Sequence, residues 1–286
     1  MARDLLDLAP IARWRADQQA LVTAGGTQAA DGETVTTWLD SIGGQVAAQQ
    51  TVTRRPILRA ASLGGRPALE FNTDDALVVA APWQLSAAFT ALVVARMDGS
   101  TAARGPLGLD RGTGAGNRGF RLRYNTATQA QLVAFDSTGA TALIDTQAAA
   151  RTSPEVLTGV RRTTDAQLYV NGASDGPTAG AAQPPSTAHW LSIGTDNAST
   201  STGNAVTTGL VGVVAEVAIW HRVLTAAELV QAHSYAQDRY GIPVTGYVAD
   251  ATAKKYGVRM KDGRVAPVRM RDGREVPVRL ASGARL

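Results

Sequence analysis

Hydrolysis of a glycosidic bond needs two carboxyl groups across the scissile link, and a β-sandwich commonly presents them from alternate positions of one strand. No Glu-x-Asp-x-x-Glu arrangement occurs in this chain. Glu216, in Val214-Ala215-Glu216-Val217-Ala218-Ile219-Trp220, is a lone acid on an apolar strand. A structural role, paired with an arginine or a backbone donor, fits it better than catalysis. The histidines are His189, His221 and His233, and no two have the i, i+4 spacing of a helical zinc site. Surface or strand-edge packing is the expectation for each. Serine is plentiful, yet no Gly-x-Ser-x-Gly elbow anchors a hydrolase triad. The absence of cysteine excludes disulfides, thiolate metal sites and Cys nucleophiles together. The chain is read as non-enzymatic.

Calcium is the one metal the residue types suggest, because loops of β-sandwiches supply it with carboxylate and carbonyl oxygens. Asn72, Asp74 and Asp75 follow a strand ending at Phe71, and Asp196 with Asn197 follows Ile193. The competing reading is an ordinary polar turn. Apart from calcium, no cofactor is expected.

These groups must be positioned by strands. Short runs of Val, Leu, Thr and aromatics recur between Gly, Asp, Asn, Ser and Pro clusters, the pattern of an antiparallel sandwich. The expected strands are 35–39, 67–71, 76–80, 89–96, 119–124, 131–135, 141–145, 156–161, 167–170, 190–193 and 210–220. In Phe120-Arg121-Leu122-Arg123-Tyr124 the rings and Leu122 face one way and two arginines the other, a half-buried strand with one wet face. Asn171-Gly172 supplies the positive φ angles of a tight hairpin turn. The glycine-rich stretch Gly105 to Gly119 does not lie between a strand and a helix, so it reads as a surface loop rather than a phosphate cradle. One helix is signalled, from Ala226 to Tyr240. Thr225 and Glu228 form its capping box, Gly241 and Pro243 stop it, and its apolar side is Leu229, Ala232, Ala236 and Tyr240.

The C-terminal 36 residues are different in kind. Val258-Arg259-Met260-Lys261-Asp262-Gly263-Arg264-Val265-Ala266-Pro267 recurs as Val268-Arg269-Met270-Arg271-Asp272-Gly273-Arg274-Glu275-Val276-Pro277, and a shortened third copy begins at Val278. Each copy reads as strand, Asp-Gly turn, strand, with Pro ending the unit. Residues 251–286 hold ten Lys/Arg and three acids; subtracting these from totals of 28 and 24 leaves 18 basic and 21 acidic residues before them. Body and tail thus carry opposite net charge, and the division expected is 1–245 for a single sandwich and 246–286 for a basic β-repeat tail. Hairpins this small bury too little to stand alone. The tail is therefore expected to order against other copies or a partner protein, through Val258, Met260, Val268, Met270, Val278 and Leu280. Tyr256 is the only ring after residue 250, so stacking on bases is missing and nucleic-acid binding is not expected. No apolar run is long enough to insert in a membrane, and synthesis in a cytoplasm is expected.

Several segments in order resemble one family: Ala12-Arg13-Trp14-Arg15-Ala16-Asp17, then Asp31 through Trp38 to Ser41, then Gly64-Gly65-Arg66-Pro67-Ala68-Leu69-Glu70-Phe71, then Leu168-Tyr169-Val170-Asn171-Gly172, then Glu216 through Leu229. Together they resemble laminin G-like, concanavalin A-like lectin/glucanase domains of bacteriophage virion proteins. The resemblance implies an all-β antiparallel jelly-roll β-sandwich with a C-terminal helix that binds glycans or proteins, often with calcium. It further implies a virion structural protein, a minor tail or tail-fibre adhesin meeting a host-surface glycan and other virion proteins. The alternatives are a capsid decoration or head-fibre protein without glycan binding, a free-standing lectin, and a polysaccharide-degrading enzyme. A homotrimer is expected because fibres and spikes commonly use threefold axes. Sugars stack on exposed rings, so Trp83, Tyr124 and Trp190 are the candidate ligand residues, while Trp38 and Trp220 are assigned to the core.

Overall fold

The computed structural model describes residues 4–17, 21–42, 44–83, 86–98, 104–110, 118–126, 128–135, 141–149, 152–180, 189–196, 209–246, 268–269 and 275–276. The chain divides into two units, Asp4–Tyr247 and a second made mainly of Val248–Leu286. The strands of the first unit begin with β1 (Ala12–Arg15), β2 (Leu21–Val22), β3 (Thr37–Leu39), β4 (Val46–Ala48), β5 (Ile57–Leu63), β6 (Arg66–Phe71), β7 (Leu77–Trp83) and β8 (Phe89–Met97). They continue with β9 (Arg104–Asp110), β10 (Arg118–Thr126), β11 (Gln129–Phe135), β12 (Thr141–Ala148), β13 (Glu155–Arg161) and β14 (Asp165–Val170). Last come β15 (Thr178–Ala179), β16 (His189–Ile193) and β17 (Gly212–Trp220), followed by helix α1 (Ala226–Tyr240).

These strands form two antiparallel sheets. One runs β15-β14-β13-β8-β17-β6-β5, with β1 added beside the C-terminal half of β17; the other runs β12-β11-β10-β9-β16-β7-β4-β3-β2. Between them lies the main core, where Trp14, Trp38, Phe71, Phe89, Phe120 and Tyr124 are buried. The expected sandwich is what forms, and the alternation that signalled it holds: Phe120, Leu122 and Tyr124 point into this core.

The helix adds a third layer. Leu229, Ala232, Ala236 and Tyr240 pack with Leu92, Val94, Val156, Val160 and Trp220, the side chains on the opposite face of the eight-stranded sheet. The middle of that sheet is therefore buried on both faces: β8 and β17 are almost continuously apolar, and every residue of β13 is buried. The capping box is present: Thr225 Oγ1 accepts from the Glu228 N–H at 3.3 Å and Glu228 Oε2 accepts from the Thr225 N–H at 2.8 Å. Gly241, with φ 69°, ends the helix in the left-handed conformation. Asn171 and Gly172 have φ of 51° and 79°, as the hairpin turn requires.

One sequence expectation is corrected. Gly105 to Gly119 is not a single loop, because Arg104–Asp110 is a central strand, β9, between β10 and β16. Its glycines serve packing rather than a turn. A Cβ at Gly105 would overlap the Asp196 side chain, and one at Gly108 would overlap the Asp196 backbone. Strands β1, β2, β4, β5 and β15 also lie outside the expected set; all but β5 are four residues long or shorter.

In the second unit, β18 (Val268–Arg269) pairs antiparallel with β19 (Glu275–Val276), Val268 opposite Val276 and Arg269 opposite Glu275. Asp272-Gly273 lies between the two strands in sequence. Val258, Met260, Met270, Val278 and Leu280 lie outside the described residues.

Candidate functional site

The densest cluster of ionisable groups surrounds Glu216. Strand β17 shifts register between Val214 and Glu216. This bulge turns Ala215 and Glu216 in succession toward α1. There Arg13 Nε donates to Glu216 Oε1 at 2.6 Å, and the hydroxyls of Tyr235 and Tyr240 donate to Oε2 at 2.8 and 2.6 Å. Arg13 also donates to Tyr235 Oη at 2.7 Å and forms an ion pair with Asp4. Arg13 and Glu216 are both fully buried. Burial and the neighbouring carboxylate push both phenols up, so they remain neutral donors. The cluster clamps α1, β1 and β17 together, the structural role expected of Glu216.

His233, on α1, is also buried, with Nε2 at 3.0 Å from Thr158 Oγ1, and burial pushes its pKa down to about 4. His189 is buried on β16, and His221 lies edge-on to Trp83. Surface packing thus fits His221 alone, since the sheet is covered where His233 lies. Among the described residues no three His, Cys, Asp or Glu side chains are grouped to hold a metal.

Of the sequence-predicted ligand residues, Tyr124 and Trp83 lie in the core. Tyr124 is 0% exposed, and Trp83 packs against Trp14 with ring centroids 6.1 Å apart. Neither offers a ring face to a ligand. Tyr124 follows the inward alternation of β10, and Trp83 belongs to the same core cluster as Trp14. Trp190 is different: it alternates with buried Leu191 and is partly exposed. At the calcium candidates, Asn72 and Asp74 are exposed, whereas Asp75 is buried and its carboxylate accepts the Asn72 N–H at 2.8 Å. Burial raises the Asp75 carboxyl to about 6. This is the geometry of a polar turn. Asp196 is buried over β9, and Asn197 lies outside the described residues.

The outer face of the nine-stranded sheet carries a polar cluster in which Arg121, Gln131, Ser192 and Asp196 are buried and Arg123 and Thr146 are half-buried. On β10, Arg121 and Arg123 point away from the core. Across the strands Arg123 pairs with Gln131 and Gln131 with Thr146, while Arg121 pairs with Gly108 and Gly108 with Ser192. The first row is a hydrogen-bonded ladder. Arg123 Nε and Nη2 donate to Gln131 Oε1 at 3.1 and 2.9 Å, and Gln131 Nε2 donates to Thr146 Oγ1 at 3.1 Å. Arg121 lies over the Phe135 ring, 5.2 Å from its centroid. Asp196 stands over β9, and Trp190 lies on the next strand, β16. The groups of this face left partly open are the Arg123 guanidinium, the Thr146 hydroxyl and the Trp190 indole. The sequence pattern places both arginines on a wet face; Arg123 is half-buried there, but Arg121 is buried over Phe135, and the partner rows on β11 and β12 depend on register.

The family is shown by comparison. Residues 71–230 match the profile of the concanavalin A-like lectin/glucanases superfamily, and the chain belongs to it. Among solved structures, a Trypanosoma rangeli sialidase in complex with sialic acid is similar at TM-score 0.53 and 15% identity, covering 82% of this chain and 34% of that one. A Ruminococcus gnavus IT-sialidase CBM40 bound to α2,3-sialyllactose is similar at TM-score 0.47 and 14% identity, over 57% of this chain and 94% of that one. The chain spans about a third of the length of the trypanosomal enzyme, and the likeness is one of fold. No curated protein matches the chain. No helix among the described residues is long and apolar enough to cross a membrane.

Proposed function

We propose that the body is a non-enzymatic carbohydrate-binding module and that it works as part of a phage virion, as a minor tail or tail-fibre adhesin anchored by the basic repeat tail. The observation that carries the binding role is the hydrogen-bonded ladder of Arg123, Gln131 and Thr146 on the same outer face as the partly exposed Trp190. Membership of a lectin and glucanase superfamily supports it. Sugars present an apolar ring face for stacking and hydroxyls that exchange hydrogen bonds with amides and charged groups. A binding role rather than hydrolysis is favoured because Glu216 is taken up by Arg13 and two tyrosines beneath α1. Anchoring is supported by the opposite charge of the tail and by its ten-residue repeat. The same repeat supports a homo-oligomer, with tail strands pairing between copies or with a partner protein.

The full-length protein is expected to bind members of a glycan array, and Trp190→Ala to weaken that binding by about tenfold, the loss expected for one aromatic contact. A blank array returns the protein to the capsid decoration reading, and release of reducing ends from any polysaccharide returns it to the enzymes. Deletion of residues 251–286 is expected to abolish incorporation into particles; normal incorporation refutes anchoring by the tail.

A further inference from the structure

The chain passes from α1 toward the repeat tail through residues 241–246, and two glycine turns close on that path. Thr245 N–H donates to the Asn171 carbonyl at 2.8 Å, and Val244 N–H donates back to Gln237 Oε1 of α1 at 3.1 Å. Asn171 is itself fixed to β13, since its N–H donates to the Val156 carbonyl at 2.9 Å and its Oδ1 accepts the Val156 N–H at 2.8 Å. Val156 in turn lies opposite Val94 of β8, inside the eight-stranded sheet. A Cβ at Gly172 would stand 2.6 Å from the Thr245 carbonyl oxygen, and one at Gly64, in the β5–β6 turn, would overlap the Tyr240 carbonyl. Both glycines are left-handed, with φ of 79° and 56°, so each turn admits the chain only where a side chain is missing. Ile242, between Tyr240 and Thr245, is buried in the cluster that packs α1 on the sheet.

We infer that the Asn171-Gly172 turn is the socket of the tail root, holding Thr245 so that a pull on the tail enters β13 and β8 before it reaches α1. The inference rests on the anchoring reading above and names the residues that position the anchor. A tether leaving a helix directly would load its last turn, whose final carbonyls lack intrahelical donors. Segments beyond a last helix fray unless they are tied down. Here the pull meets the Thr245 bond to a strand turn first, and only then Tyr240, whose hydroxyl is part of the Glu216 clamp. Asn171, Gly172 and Thr245 are therefore positioning residues for attachment, a role beyond the hairpin turn that Asn171-Gly172 signals in sequence.

The test pulls single molecules of the full-length protein between the C-terminus and a cysteine placed at the exposed Thr128, in the β10–β11 turn. The chain has no cysteine of its own, so the handle is unique. Thr245→Pro removes the N–H donor and Thr245→Ala keeps it. Release of α1 with its exit segment lengthens the chain by about 6 nm. In the wild type and Thr245→Ala that step is expected only together with opening of the sheet; in Thr245→Pro it is expected alone and at lower force. Gly172→Ala, which crowds Thr245 from the turn, is expected to behave like Thr245→Pro. Amide exchange at Thr245 of the unpulled wild type should be at least tenfold slower than in an unstructured chain. A separate early step in the wild type, one force for all variants, or an unprotected Thr245 amide overturns the inference while leaving the anchoring reading intact. Normal incorporation into particles without residues 251–286 overturns the anchoring reading and the socket's use with it, whatever the forces.

Discussion

Replacing Glu216 by Gln keeps the volume of the side chain and removes its charge from beneath α1. Three short hydrogen bonds, from Arg13 Nε and the hydroxyls of Tyr235 and Tyr240, then change from charge-assisted to neutral. Arg13, fully buried, keeps only Asp4 as counter-charge, and that side chain is 37% exposed. Breaking a buried pair by removing one partner costs about 3–5 kcal/mol, because the surviving charge stays desolvated. For a body of this size each kcal/mol moves the melting midpoint by about 2–4 °C, so the variant should melt roughly 6–20 °C lower. Calorimetry and urea unfolding measure both quantities. The double variant Arg13→Met with Glu216→Leu should recover most of the loss, since an apolar pair needs no compensating charge. A Glu216→Gln variant within about 1 kcal/mol of the wild type, or a double variant whose cost is the sum of the singles, refutes the clamp.

His233 has its pKa lowered to about 4 by burial, below the ordinary 6.5. Its contribution to stability is therefore complete above pH 6.5 and falls by about 1.4 kcal/mol per pH unit as pH drops toward 4; His233→Gln should flatten that slope in pH-dependent melting. Asp75 has the opposite sign, its folded pKa being raised from 3.8 to about 6. Asp75→Asn keeps an acceptor for the Asn72 N–H, so it should gain about 1–2 kcal/mol above pH 6 and nothing below pH 4, and a gain that persists in acid counts against the assignment. Millimolar calcium should leave the melting midpoint unchanged; a rise would mean that Asn72, Asp74 and Asp75 rearrange around the ion. Gly108→Ala should cost about 1–3 kcal/mol by driving the Asp196 backbone off β9, with binding on the arginine face falling in parallel.

Legibility followed the range of the interactions involved. The capping box, the Asn171-Gly172 turn and the alternation of β10 are set by residues a few positions apart, and each was readable from the sequence. The third layer was half readable: the apolar stripe of α1 was plain, but its destination on the back of the eight-stranded sheet needed the match between β8, β13 and β17. Strand β9 was misread because Gly105 and Gly108 look like loop glycines until Asp196, about ninety positions away, is seen packed against them. Trp83 and Tyr124 show the limit for ligand residues. Stacking needs an open ring face, and whether a ring is open depends on which side of the strand it falls and what lies opposite.

The layering also decides where evolution can write specificity on this body. The eight-stranded sheet is closed by the core on one side and by α1 on the other, so a polar change at its outward positions meets Leu92, Val94 or Trp220 rather than water. The edge at β12 is closed differently. Asp145 turns inward to accept from the Leu168 N–H and from Thr178 Oγ1, an inward-pointing charge of the kind that discourages strand addition. On the outer face of the nine-stranded sheet, the half-buried Arg123 and Thr146 are linked through the buried Gln131 and sit on strands rather than on loops. Side chains fixed on strands and cross-linked by hydrogen bonds lose little freedom when a ligand docks. A recognition surface on this fold is therefore most economical there, and exchanging Arg123 with its Gln131 and Thr146 supports should change which sugar is bound without altering the sandwich beneath.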